Sequence, residues 1–254
     1  MNRKLSILIL MLLPAISLWA QTEKSFPQFT WVTPASEQAG DWIRFGYDKS
    51  SFTLINKDCR HLPANHPCYS DKDYADAVLL GEYKNKSMSG SLFILFSPGP
   101  SADPQFAIFD KNNNLLWGEN GEEMCINSNG VIYLSGNANR MFNQRTKWQL
   151  SNGKVSEVKQ PFYYVNVKGK LLKPVKLYSQ KGNKGDVVAT LPVGYEIEIL
   201  LGEPELVTDG GESYVQIRNY LARSAFGLVG WLRLRDEDMS LHNPIVRGLG
   251  FMGD

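Results

Sequence analysis

Three stretches of this chain repeat one pattern: an alternating apolar run, a turn rich in Asn and Gly, and a second apolar run. They are FAIFDKNNNLLW from Phe106 to Trp117, CINSNGVIYLSG from Cys125 to Gly136, and TKWQLSNGKVSEV from Thr146 to Val158. Asn-Gly between apolar strands, here Asn129-Gly130 and Asn152-Gly153, is the strongest short-range hairpin signal. It works because both residues tolerate the positive φ that a two-residue turn requires. Hairpins recurring about every 20 residues predict a β-meander. The text is too short to close a propeller ring. An N-terminal antiparallel meander, packed as a sandwich or an open barrel, is therefore expected.

The flanking text agrees with an all-β fold. Trp42, Phe45, Tyr47, Phe52, Leu54 and Ile55 supply two further strand candidates, and Ser91 to Phe96 is a continuous apolar run of strand length. Tyr74 to Tyr83 is compatible with either a strand or a short helix. The segment SPGPSADP, with three prolines, interrupts the pattern.

In the C-terminal third, Tyr195, Ile197, Ile199 and Leu201 alternate with Glu196, Glu198 and Leu200, the pattern of a half-buried strand. Leu177-Tyr178 ends a short strand. Val187 to Leu191 leads into the turn Pro192-Val193-Gly194. Tyr214-Val215-Gln216-Ile217 precedes Gly227-Leu228-Val229-Gly230-Trp231-Leu232. In order and spacing these segments, from Pro174 to Asp236, resemble the bacterial SH3 (SH3b) domain. The first loop, Ser179 to Asp186, lacks the family's R-x-G-P, and Tyr214 stands where the family has a tryptophan. The resemblance implies a small SH3-like β-barrel, an envelope-associated setting, and a peptide or peptidoglycan fragment as ligand. Tyr178, Tyr214 and Trp231 are the binding residues it suggests, because such aromatic grooves hold extended peptides or sugar faces.

The first twenty residues read as a secretory signal peptide. Arg3 and Lys4 precede the apolar run Leu5 to Leu13, which is too short to span a bilayer, and Leu18-Trp19-Ala20 ends in the small residue that cleavage needs. A periplasmic or extracellular location follows as an expectation, without stable membrane insertion after cleavage. The whole chain carries 27 basic and 26 acidic side chains, and the leader removes only basic ones. That balance argues against nucleic acid as a partner. The organisation expected is a signal peptide over residues 1–20, an N-terminal β domain over 21–168, the SH3b-like barrel over 169–236 and a tail over 237–254.

Chemistry-bearing clusters are few. Cys59 and Cys68 bracket His61 and His66. Cys-x-His with His-x-Cys could supply ligands to a tetrahedral zinc. Export favours a Cys59–Cys68 disulfide closing a proline-containing loop, and that pairing is the expectation. Cys125 is then a free, buried thiol; a peptidase nucleophile would need a histidine beside it. Glu122-Glu123 and Asp236-Glu237-Asp238 are adjacent acids in turn-like text, not opposed across a cleft as glycoside hydrolysis requires. Asp110 to Asn114 (DKNNN) reads as a turn in preference to a calcium loop. No phosphate loop, dinucleotide motif or nucleophile elbow occurs, so no cofactor, metal site or catalytic residue is expected. The sequence favours a secreted binding protein over its two rivals, a cell-wall hydrolase with an SH3b targeting domain and a structural or inhibitory partner module. The last of these predicts an exposed apolar patch.

Overall fold

The computed structural model describes residues 25–70, 76–84, 90–99, 103–204, 207–208, 216–235 and 244–251. The expected signal peptide lies outside them. The fold is all-β. In chain order the strands are β1 (Thr30–Val32), β2 (Arg44–Tyr47), β3 (Phe52–Asp58), β4 (Val78–Tyr83), β5 (Leu92–Ser97) and β6 (Gln105–Phe109). Next come β7 (Leu115–Asn120), β8 (Glu123–Ile126), β9 (Val131–Gly136), β10 (Gln144–Ser151), β11 (Lys154–Glu157) and β12 (Tyr163–Lys170). The last six are β13 (Val175–Gln180), β14 (Lys184–Leu191), β15 (Glu196–Gly202), β16 (Val207–Thr208), β17 (Gln216–Ser224) and β18 (Val229–Arg235). Among the described residues no helix is long and apolar enough to cross a membrane.

The N-terminal part is a sandwich. One sheet is the meander β3-β4-β5-β6-β7; the other runs β1-β2-β8-β9-β10-β11. A single core joins them, with Phe45, Met124, Ile132 and Leu150 from one sheet against Leu80, Ile94, Phe96 and Phe106 from the other. The three expected hairpins form β6–β7, β8–β9 and β10–β11. Asn152 and Gly153 both take positive φ, 51° and 72°, as a tight two-residue turn between paired Ser151 and Lys154 demands. The sheet is not purely antiparallel: β2 lies parallel to β8. The chain leaves after β2, builds the whole five-stranded meander and returns beside its starting strand.

From Val78 to Tyr83 the ambiguous segment is a strand, β4, and almost every residue of it is buried. It lacks alternation because both of its faces are covered. Val78 and Leu80 face the sandwich core, while Leu79 joins Cys59, Leu62 and Cys68 in a satellite cluster under the 59–68 loop. Gly81 sits at a close approach of strands, where a Cβ would lie 2.2 Å from the Thr53 carbonyl oxygen.

The C-terminal sheet runs β12-β15-β17-β18-β13-β14, with β16 paired to β17. It curls around one aliphatic cluster that includes Leu177, Leu191, Ile197, Ile199, Leu232 and Leu234. Among the described residues the strands anticipated from the SH3b-like text form, Tyr214 and Val215 lying outside them, and Gly194 takes φ +87° at the anticipated turn. The ladder stays open, ending at β12 on one side and β14 on the other, so the anticipated closed barrel is not made by hydrogen bonds. Past the Pro192–Gly194 turn, β15 swings away from β14 to pair with β12 and β17.

The boundary anticipated at residue 168 falls inside β12, whose residues Tyr163 to Lys170 pair with β15. Residues 158–162 make the passage between sheets instead. The 137–143 loop after β9 also crosses, placing Met141 and Phe142 in the C-terminal core. Phe142 lies 6.4 Å from the Tyr163 ring and 6.3 Å from the Tyr220 ring. From the tail, Val246 and Leu249 are fully buried in the same core, and Leu171 bridges to Val246.

Candidate functional site

The side chains richest in binding potential lie on the outer face of the C-terminal sheet. In β13 and β18 alternate residues point inward: Leu177, Leu232 and Leu234 are buried, which leaves their neighbours on the solvent side. Tyr178 and Trp231 are direct cross-strand partners, and both are half-buried. The structure thus brings these two sequence-nominated residues together. Tyr214 lies outside the described residues.

A third ring completes the face. Phe162, from the passage into β12, lies 6.1 Å from Trp231 with 40° between planes. The Lys181 ammonium stands over both rings, 4.8 Å from the Phe162 centroid and 4.9 Å from that of Trp231. A cation over an aromatic face is held by the ring quadrupole. Lys181 also ion-pairs with Glu203, whose other oxygen accepts from Asn219 Nδ2 at 2.6 Å. Asn219 Oδ1 in turn accepts from the Gly182 backbone N–H at 2.9 Å. This chain of contacts pins the β13–β14 turn, where Gly182 and Asn183 take positive φ, beside the aromatic face. The face can stack a planar or apolar group and already holds one ammonium.

Phe162 and Lys181 were not legible as site residues. Phe162 directly precedes the buried Tyr163 in a run of aromatics, where any one ring could equally be core. A second group was also missed. Phe226, at the tip of the β17–β18 hairpin, is 73% exposed and packs on Tyr195, 39% exposed, with ring centroids 5.8 Å apart. Its signal in the text is an aromatic immediately before a turn glycine, where polar residues are usual.

The cysteines do not follow the anticipated pairing. Cys59 and Cys68 share the satellite cluster, yet both are buried thiols with no bond between them. The loop is closed by other means: Cys59 N–H donates to the Ala77 carbonyl, and Cys68 N–H donates to His66 Nδ1 at 3.1 Å. The His66 ring sits edge-on to Phe93 at 5.2 Å. Burial pushes the Cys59 thiol up to about 11 and Cys68 to about 12, the nearby Cys59 adding to the latter. Cys125 is buried under the outer face of its sheet, and burial raises it to about 12. A thiol held protonated in this way is a poor nucleophile.

Of the acids nominated and set aside in the text, Glu122, Glu123 and Asp110 are engaged, and Asp236, Glu237 and Asp238 lie outside the described residues. Glu123 is buried and accepts from the Ser135 hydroxyl at 3.2 Å, while Glu122 accepts from the Asn137 backbone N–H at 3.2 Å. Burial raises the Glu122 pKa above the usual carboxylate value, opposed by that backbone bond. Asp110 caps its own turn, accepting from the Asn112 and Asn114 N–H groups at 2.8 and 2.9 Å. These bonds lower its pKa, with the Asn114 side chain contributing most.

Compared with family models, curated proteins and solved structures, the chain finds no match in any of the three.

Proposed function

We propose that this is an exported, envelope-associated binding protein without catalysis, whose C-terminal sheet acts as an SH3b-like module for a peptide or peptidoglycan fragment. The observation that carries the reading is the aromatic face: Tyr178 opposite Trp231, with Phe162 beside them, on the solvent side of the sheet. Rings that a small core does not need, held rigidly between strands, are the usual anchors of an extended ligand. The SH3b-like order of segments from Pro174 to Asp236 supplies the ligand class. The leader-like first twenty residues supply the compartment.

The test is co-sedimentation of the full chain with purified peptidoglycan. Binding is expected, and Trp231→Ala is expected to weaken it by about 2 kcal/mol or more, the usual loss of an aromatic anchor. Tyr178→Ala, at a half-buried position less coupled to the core, is the companion variant, with thermal melting to verify the fold. A chain that stays in the supernatant overturns the cell-wall reading. Binding unchanged by both substitutions moves the site off this face.

A further inference from the structure

Away from the Trp231 face, the same sheet carries a second candidate surface. A cavity of about 780 Å³ lies between the end of β12, the start of β15, the β17–β18 hairpin and the tail. Its charged lining is Lys168, Lys170, Arg223 and Arg247 against Glu196 and Glu198. Glu198 is already neutralised: Arg223 donates to its Oε2 through both Nε and Nη2, and Lys168 Nζ lies 3.8 Å from its Oε1. Lys170 and Arg247 form no ion pair with any carboxylate among the described residues. The cleft therefore holds excess positive charge in its own walls.

The apolar pair described above adjoins this cleft, since Phe226 and Tyr195 are chain neighbours of residues that line it. Ala225 and Gly227 line it, and Phe226 stands between them, packed on Tyr195. Leu228 and Val229, next along the hairpin, are exposed as well. The tip is held firmly. Ser224 N–H donates to the Leu228 carbonyl at 2.8 Å, Leu228 N–H donates to Ser224 Oγ at 3.1 Å, and Ala225 N–H reaches the Glu196 carbonyl at 3.3 Å. Gly227 takes φ +84°, which lets the turn close. An exposed aromatic on a turn held in this way loses little backbone freedom on binding.

We infer that this cleft is a docking site for an acidic peptide segment of a partner protein, with carboxylates over Lys170 and Arg247 and an apolar side chain against Phe226 and Tyr195. Charge complementarity selects the sign of the segment, and the Phe226–Tyr195 pair selects an aromatic or large aliphatic residue within it. The inference is independent of the cell-wall reading, since it uses none of the residues of the Trp231 face.

The experiment is fluorescence anisotropy of the full chain with the labelled pentapeptide Glu-Glu-Phe-Glu-Glu, compared with Lys-Lys-Phe-Lys-Lys and Glu-Glu-Gly-Glu-Glu. The first is expected to bind, to weaken as salt rises, and to bind more tightly than either control. Phe226→Ser and Arg247→Glu should each lower the affinity by roughly tenfold; both positions are solvent-exposed, and circular dichroism checks the fold. Leu115→Ser, an exposed apolar site on the far sandwich sheet, should leave it unchanged. Absence of binding, equal binding of the lysine peptide, or affinity unmoved by both cleft variants overturns the inference, whatever the peptidoglycan assay gives.

Discussion

The sandwich is built around a cluster of buried rings, whereas the C-terminal sheet carries most of its rings outside its core. In the first, Phe45, Phe52, Tyr83, Phe96 and Phe106 are buried together, with Phe106 centred 5.4 Å from Phe96 and 6.4 Å from Phe45. In the second, Leu, Ile, Val and Ala fill most of the interior, joined by Phe142, Tyr163 and Tyr220. Tyr164, Tyr195 and Phe226 are exposed, and Phe162, Tyr178 and Trp231 are half-buried. Geometry accounts for the contrast. Two facing sheets leave a layer about 10 Å thick that large side chains must fill. A single sheet curled on itself has a narrower interior, which aliphatic side chains fill. The same residue type therefore fills a core in one half and lies at the surface in the other.

In the sandwich half, Glu119, Glu122 and Arg140 are pulled into partial burial near the crossing loop, and burial raises both carboxyls and lowers the Arg140 pKa. In the C-terminal sheet the ion pairs Arg223–Glu198 and Lys168–Glu198 lie at the surface, where such pairs contribute little to stability.

The contrast can be broken by measurement. The largest effect is expected from Phe106→Ala, which empties the middle of the ring cluster and should cost about 3–5 kcal/mol in chemical denaturation. A loss no larger than that of a surface substitution would deny the sandwich its aromatic core. A smaller effect is expected from Glu122→Gln, and its sign depends on pH. The folded carboxyl sits above its ordinary value of 4.5, so its ionised form opposes folding at neutral pH and the penalty vanishes once it is protonated in both states. Glutamine retains the acceptor for Asn137 without the charge. The variant should therefore melt higher than wild type at pH 7, and the two curves should converge as pH falls below the carboxyl range. A variant less stable at pH 7 would reverse the assignment. The smallest effect belongs to Phe226→Ser, expected within about 0.5 kcal/mol of wild type because the ring packs mainly against solvent and Tyr195. A loss comparable to that of Phe106 would make the ring part of the core and remove it from the docking surface.

Much of the fold was legible residue by residue. Asn-Gly and Asp-led turns place the three sandwich hairpins, because positive φ and Asx bonding are local properties of those side chains. Alternation places β15, down to Ile197 and Ile199 facing inward. It fails at Leu201, where a register shift after Ile199 puts Gly202 on the buried side. The apolar text of β4 and β5 marks strands but says nothing of what lies on their second face; there the 59–68 loop, with its two unbonded thiols, covers Leu79 fully and Phe93 and Leu95 in part. At the candidate site Tyr178 and Trp231 could be nominated from segment order, while Phe162, Lys181, Tyr195 and Phe226 could not, since each becomes part of a surface only through a neighbour far away in sequence.

Short-range chemistry therefore specified the strand text, the turns and the all-β class, each fixed by side-chain period or by φ preference within a few residues. Long-range packing specified the rest. It set β2 parallel to β8 and drew Tyr163 to Lys170 into the C-terminal sheet. It sent Met141 and Phe142 across into the second core and left the curled sheet's ladder open between β14 and β12. These arrangements follow from which apolar faces can cover one another once the strands exist, a condition on pairs of distant segments that no local pattern carries.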